Sequence, residues 1–238
     1  GLGDATGSTR RCSIGRCAGA FNRVRSRTGG GMIKRALDRL KFGDPVVVVS
    51  GLPRSGTSMA MRMLKAGGVT LVEDGERTAD EDNPVGYFED ERVKNLAAST
   101  DTDWVRAARG KAIKVVSSLL HGLPAENRYK VVFMLRDLHE VLASQAKMLA
   151  RRKEVHETAD DEMIASYQKH LDKVRFQLRY RANVDALYLE YADVVADPRP
   201  QAERINAFLG GRLDVERMVE AVDPKLYRNR REALTTSS

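Results

Sequence analysis

Cysteine is almost missing from this 238-residue chain: Cys12 and Cys17 stand in the lead segment and the remainder has none. A body stapled by disulfides is therefore excluded. Two thiols with no histidine nearby also argue against a structural zinc site. Long apolar runs are missing too. The longest clean one, Val46–Val49, falls far short of the roughly 20 residues that span a bilayer. No apolar signal-peptide core stands near the first residue, so the cytoplasm is the expected compartment. The four histidines, His121, His139, His156 and His170, are too scattered for a metal centre, and no internal repeat is visible.

What is present is distributed unevenly. The net charge is +7, but residues 1–41 hold ten Lys/Arg against two Asp, while the remainder holds 30 basic and 31 acidic side chains. Residues 1–30 carry little periodic apolar content and include Gly29-Gly30-Gly31. They read as a disordered basic segment, able to touch polyanions through phosphate contacts or else an arm with no specific role. Residues 31–238 read as one domain. The whole chain's 42% hydrophobic and 31% charged content is that of a globular protein, and the domain's length allows a sizeable core.

Along that domain, strand patterns alternate with helical ones. Met32–Leu40 has the spacing of a short amphipathic helix. Strands are expected at Val46–Ser50, Ala112–Val116, Tyr129–Leu135 and Ala186–Leu189. Helices are expected at Thr57–Ala66, from about Glu91 through Val93, Leu96 and Ala97, at Leu138–Arg151, from an Asp160 cap through Leu178, at Pro200–Leu209 and at Val215–Val222. Such alternation predicts an α/β fold with a mostly parallel sheet, whose ligands bind beyond the carboxyl ends of the strands.

The richest stretch is VVVVSGLPRSGTS, residues 46–58. A strand, a glycine-rich turn and a helix start follow in the order that cradles phosphate. Gly51 and Gly56 permit close backbone approach, and the amides of Ser55, Gly56, Thr57 and Ser58 can face an anion at the helix N-terminus. The lysine of an ATP or GTP loop is missing; Thr57 occupies its place, and Arg54 is the nearest cation. Arg54 can clamp an oxyanion. The loop thus suits phosphates other than the γ-phosphate of a nucleoside triphosphate. A second anion position is suggested by Arg136, which directly follows the strand ending at Leu135, and by Ser144, eight residues on. The plain alternative for Arg136 is an ion pair with Asp137 or Glu140. Lys114 interrupts a strand and needs a partner if buried.

These residues together resemble the sulfotransferases that use 3′-phosphoadenosine-5′-phosphosulfate (PAPS), in particular the short bacterial type. The resemblance runs over about residues 45–230. It rests on Leu52-Pro53-Arg54-Ser55-Gly56-Thr57-Ser58, on Arg136 with Ser144, on Asn83–Asp90 (NPVGYFED) and on Leu187–Pro198 (LYLEYADVVADP). It implies a three-layer α/β/α fold like that of the P-loop NTPases. It also implies that residues 53–58 hold the 5′-phosphosulfate, that Arg136 and Ser144 hold the 3′-phosphate, and that no metal is needed. Late basic residues such as Arg228 and Arg230 are candidates to close the donor site.

In the implied reaction an acceptor attacks sulfur in line with the leaving phosphate oxygen, and Arg54 with the loop amides is placed to stabilise that oxygen. A general base must take the acceptor proton. Residues 69–90 contain no histidine but many acids. Glu89, beside the Tyr87-Phe88 pair, is the first candidate; Glu73 and Asp74 are the next. Trp104 and Tyr87-Phe88 are candidates for an apolar acceptor pocket or for plain core packing. The acceptor itself is a small molecule, glycan or lipid, with a hydroxyl or amine to sulfate. Two other readings stand beside this one: a P-loop kinase for a small metabolite, and a nucleotide- or polyanion-binding protein without turnover.

Overall fold

The computed structural model describes residues 42–74, 88–98, 101–151 and 159–226. Four strands, β1 (Val46–Gly51), β2 (Ala112–Val116), β3 (Tyr129–Leu135) and β4 (Val184–Glu190), form one sheet in the order β2-β1-β3-β4. Every pairing is parallel. The β-branched run of β1 favours extended backbone, and every one of its residues is buried. Leu71 adds a single parallel bridge to Ala112 at the β2 edge.

Seven α-helices are described: α1 (Thr57–Ala66), α2 (Asp103–Ala107), α3 (Leu138–Arg151), α4 (Asp160–Tyr180), α5 (Tyr191–Ala196), α6 (Pro198–Leu209) and α7 (Val215–Glu220). Alternation along β1 sends its side chains to two cores. Val47 and Val49 pack with Met59, Met63 and Leu64 of α1, Ile205 of α6 and Met218 of α7. Val46 and Val48 pack with Val105 of α2 and with Leu171, Val174 and Leu178 of α4. The result is the expected three-layer α/β/α arrangement.

Several boundaries differ from the sequence reading. The segment after Asp90 forms only a 3-10 turn, Glu91–Asn95, capped by the Asp90 carboxylate on the Arg92 amide at 3.0 Å. Asp160 is the first residue of α4, not its cap; Ala159 is the cap residue, and Asp160, Asp161 and Glu162 lie in the first turn, where the helix dipole favours acids. α6 begins at Pro198, because proline is tolerated at the first helical position. The stretch after β4, where the sequence pattern marks no helix, folds as α5. The Met32–Leu40 helix lies outside the described residues.

The sheet order sets the site. From β1 the chain crosses to β2 on one side, then over to β3 on the other, so connections diverge between β1 and β3. Their carboxyl ends, Gly51 and Met134, are paired neighbours. This is the topological switch point where an open α/β sheet leaves a crevice. The loop after β1 and the residues after β3 both rim it.

Candidate active site

Two glycines are required by contact. A Cβ on Gly51 would stand 2.3 Å from Ser55 Oγ and 2.6 Å from the Met134 carbonyl. Gly56, with φ +100, would drive a Cβ to 2.3 Å from the Tyr191 ring. Gly56 is also the N-cap of α1 and supplies no side-chain cap. The first intrahelical bond is that from the Ala60 amide to the Gly56 carbonyl, 3.2 Å. First-turn amides ahead of it fall outside the helix ladder, and with the helix dipole they make the loop electropositive. The Ser55 amide does not share this role, because it closes the loop's own turn on the Leu52 carbonyl at 3.1 Å. Its hydroxyl is available: Ser55 Oγ is buried without a hydrogen-bond partner, as is Ser50 Oγ at the end of β1. A buried donor left unmet in an anion-shaped turn fits a phosphate oxygen.

The two arginines meet at the crevice. Arg136 Nη1 donates to the Arg54 carbonyl at 3.1 Å, and Arg136 Nε to Glu140 Oε2 at 3.0 Å. The pair is deeply placed, with side-chain exposures of 7% for Arg136 and 5% for Glu140. The guanidinium also lies 4.6 Å from the centre of the Tyr191 ring. Burial raises the Tyr191 phenol above its ordinary pKa, against the pull of Arg136. Arg136 thus forms the ion pair with Glu140 that was the plain alternative for it, buried and in contact with the loop after β1. Arg54 Nε donates to Ser144 Oγ at 3.0 Å. The two anion positions are thus not separate: Arg54 spans from the loop to the serine on α3. Gln145, next to Ser144, donates to the Pro53 carbonyl at 3.4 Å and accepts from the Tyr167 hydroxyl at 2.8 Å.

On the β2 side a third cation enters. Lys114, with a side chain only 7% exposed, donates to Ser58 Oγ at 3.2 Å and to Glu89 Oε1 at 3.1 Å. Glu89 remains 25% exposed. Phe88, just before it, has φ +51, and Arg54 has φ +70; these are the two non-glycine residues with positive φ among the described ones. For a residue as bulky as phenylalanine that backbone is strained and needs surrounding support. Asp74 provides it: its Oδ2 accepts from the Glu91 amide at 2.6 Å, and its own amide donates to the Glu89 carbonyl at 3.3 Å. Glu73 instead pairs with Lys65 at 2.9 Å, and the Lys65 ammonium lies 5.5 Å from the centre of the Phe88 ring. Of the three candidate acids, Glu89 pairs with Lys114 beside the loop.

Arg228, Arg230, Tyr87 and most of the NPVGYFED stretch lie outside the described residues. Trp104 packs in the second core with Arg92 4.8 Å from the centre of its ring, so core packing accounts for it. His139 is exposed, and His121 bonds the Ser118 carbonyl through Nδ1 at 2.8 Å. Sequence reasoning passed over Tyr191 and Gln145 and named Glu140 only as a possible ion-pair partner. The i, i+4 step from Arg136 pointed to Glu140, whereas no local signal marks Tyr191.

Fold and site define an α/β protein of the phosphate-loop class, with Arg54 of the loop joined to Ser144 of α3 and to Arg136 just after β3. Residues 44–233 match the family model described as the sulfotransferase domain, and the chain belongs to that family. No curated protein matches it. Among solved structures it is similar to the sulfotransferase domain of the Synechococcus PCC 7002 olefin synthase, at 17% identity and a TM-score of 0.48, covering 82% of this chain and 84% of that one. It is also similar to sulfotransferase STF1 of Mycobacterium tuberculosis H37Rv, at 14% identity and a TM-score of 0.48, covering 86% and 79%. A sugar kinase of Janibacter sp. HTCC2649 is more distant, at 14% identity and a TM-score of 0.38, covering 77% and 98%. Likenesses this remote carry no argument; the family rests on the domain match.

Proposed function

We propose that the chain transfers the sulfonate of PAPS to a hydroxyl or amine of a small-molecule, glycan or lipid acceptor, releasing 3′,5′-bisphosphoadenosine, and that it does so in the cytoplasm. The observation that supports this reading best is the joining of Arg54 to both Arg136 and Ser144, which gathers two guanidiniums and a hydroxyl beside the glycine turn. A nucleoside donor carrying both a 5′-phosphosulfate and a 3′-phosphate brings anions to such a cluster. Bound PAPS supplies an activated sulfonate: the bond from sulfur to the acceptor forms as the bond from sulfur to the phosphate oxygen breaks. The loop amides, the Ser55 hydroxyl and Arg54 bear the charge that grows on the departing phosphate oxygen. Arg54 holds that charge by hydrogen bonds and does not protonate it. Lys114 steadies the sulfonate oxygens beside Ser58. Glu89, held through Oε1, takes the acceptor proton.

The kinase reading is less well supported. In P-loop kinases the hydroxyl after the loop lysine is a magnesium ligand. Here Ser58 stands at that position and accepts from the Lys114 ammonium. Calorimetric titration of the purified chain with 3′,5′-bisphosphoadenosine, and an acceptor screen with labelled PAPS, test the proposal. Tight bisphosphate binding and label transfer are expected. Preference for ATP with magnesium would overturn the reading, and bisphosphate binding without transfer to any acceptor would reduce it to a binding protein.

A further inference from the structure

The body of the chain is near neutral, yet α4 gathers one sign of charge along its second half. Lys169, Lys173, Arg175 and Arg179 stand there against a single acid, Asp172. At 3.6 residues per turn, Leu171, Val174 and Leu178 share the face that meets the core, and all three are buried. The opposite ridge carries Lys169, Lys173, Phe176 and Tyr180, which follow one another at alternating four- and three-residue steps and are all exposed. Phe176 and Tyr180 are 63% and 65% exposed and are the large hydrophobics left exposed among the described residues. Their ring centres are 4.5 Å apart at a 45° tilt, and the Arg179 guanidinium lies 5.8 Å from the centre of the Tyr180 ring. Most of the surface of both rings is turned to water, and a paired aromatic patch of this kind marks an interaction surface.

We propose that this ridge of α4 docks on an anionic phospholipid surface, with Lys169, Lys173 and Arg179 against the headgroups and the Phe176–Tyr180 pair in the interfacial layer. Charge and shape both point there. Basic side chains flanking aromatics are the pattern of a helix lying in the bilayer interface. The ridge is convex and about 17 Å long at the helical rise per residue. A fluid bilayer yields to a convex ridge, whereas a rigid partner must offer a matching groove. The two rings pack on each other and leave no slot in which a nucleic-acid base could be sandwiched. Tyr180 ends the helix that leads into the start of β4, at the end of the sheet away from the strands' carboxyl ends. The inference does not depend on sulfonate transfer.

The test is co-sedimentation of the full chain with vesicles of phosphatidylcholine alone and with about a third phosphatidylserine. Binding is expected only to the anionic vesicles and falls as salt is raised. The double variant Phe176→Ser with Tyr180→Ser, and the double variant Lys173→Glu with Arg179→Glu, each lower it about tenfold. All four positions face solvent, so unchanged thermal melting is expected, and the charge variant stands if the aromatic one fails to fold. The basic lead segment is present in every form, so only loss on changing α4 counts in favour. Anionic-vesicle binding that both variants retain would overturn the proposal. So would equal binding to neutral vesicles, tighter binding to single-stranded DNA than to vesicles, or a wild-type dimer that either variant turns into a monomer.

Discussion

Arg54 and Phe88 hold left-handed backbone where glycine would sit more easily, and each presents a side chain or a neighbour to the crevice. The acids around Phe88 divide into roles by what they touch. Glu89 meets Lys114, while Asp74 fastens the backbone on both sides of Glu89. Glu89→Gln keeps the shape but removes the base, so turnover should fall about a hundredfold or more with donor affinity little changed, read from kcat and from bisphosphate titration. Asp74→Ala frees the segment and should lower kcat about tenfold, whereas Asp74→Asn, which still accepts from the Glu91 amide, should restore most of it. If Asp74→Asn is as poor as Asp74→Ala, the carboxylate is doing chemistry and not positioning. Arg136→Ala should weaken bisphosphate binding about ten- to hundredfold, since it removes a charge-assisted donor and takes from the buried Glu140 carboxylate the guanidinium it pairs with. Because Arg54 also reaches Ser144, Arg54→Ala is expected to reduce both donor affinity and kcat. A pure loss of kcat would place Arg54 on the leaving oxygen alone.

At the scale of elements, α4 is tied to the residues after β2 by a polar contact: Ser117 Oγ lies 2.8 Å from His170 Nε2, and Ser117 is buried. Burial, with Lys173 close by, holds the His170 pKa below its ordinary value of 6.5. The unfolded chain therefore binds this proton more readily than the folded one. His170 contributes stability above the ordinary histidine range, and that contribution is lost as pH falls below 6.5 toward the depressed folded value. Melting temperatures followed from neutral to mildly acid pH should show a fall that His170→Asn flattens. The same slope in the variant would assign it to other groups. Between β1 and α1, Gly56→Ala tests the turn, because its Cβ must displace the Tyr191 ring and adopt φ +100. A loss of bisphosphate binding larger than the loss of stability is the expected result, since Tyr191 also stacks under Arg136.

Over the whole molecule, a parallel sheet with a separate core on each face explains why the strands read as unbroken apolar runs. Leu64 of α1 is fully buried in the core behind the loop, so Leu64→Ala should cost about 2–5 kcal/mol in denaturant unfolding. Much of this was legible in the chain. The limits of α1, β2, β3 and α3 follow the period of their apolar residues and their glycine, proline or polar ends. The glycine turn after β1 was legible because strand, glycines and helix start are contiguous. α5 was not, because TYR-ALA-ASP-VAL-VAL after a strand has no local cue for a helix; Val194 and Val195 are recruited by the core of α1, α6 and α7. Nor was the strain at Phe88, which depends on Asp74 from a distant segment.

The amino-acid order by itself determined the layers, the parallel sheet and the glycine turn between β1 and α1, because periodicity, glycine tolerance and helix polarity act over a few residues. Only the tertiary structure decided which charges meet. Arg54 with Ser144, Arg136 under Tyr191, and Lys114 between Ser58 and Glu89 join residues separated by dozens of positions. Such encounters are fixed by the order of the strands and by the need of each buried charge for a partner, and neither is written in any local stretch of the chain.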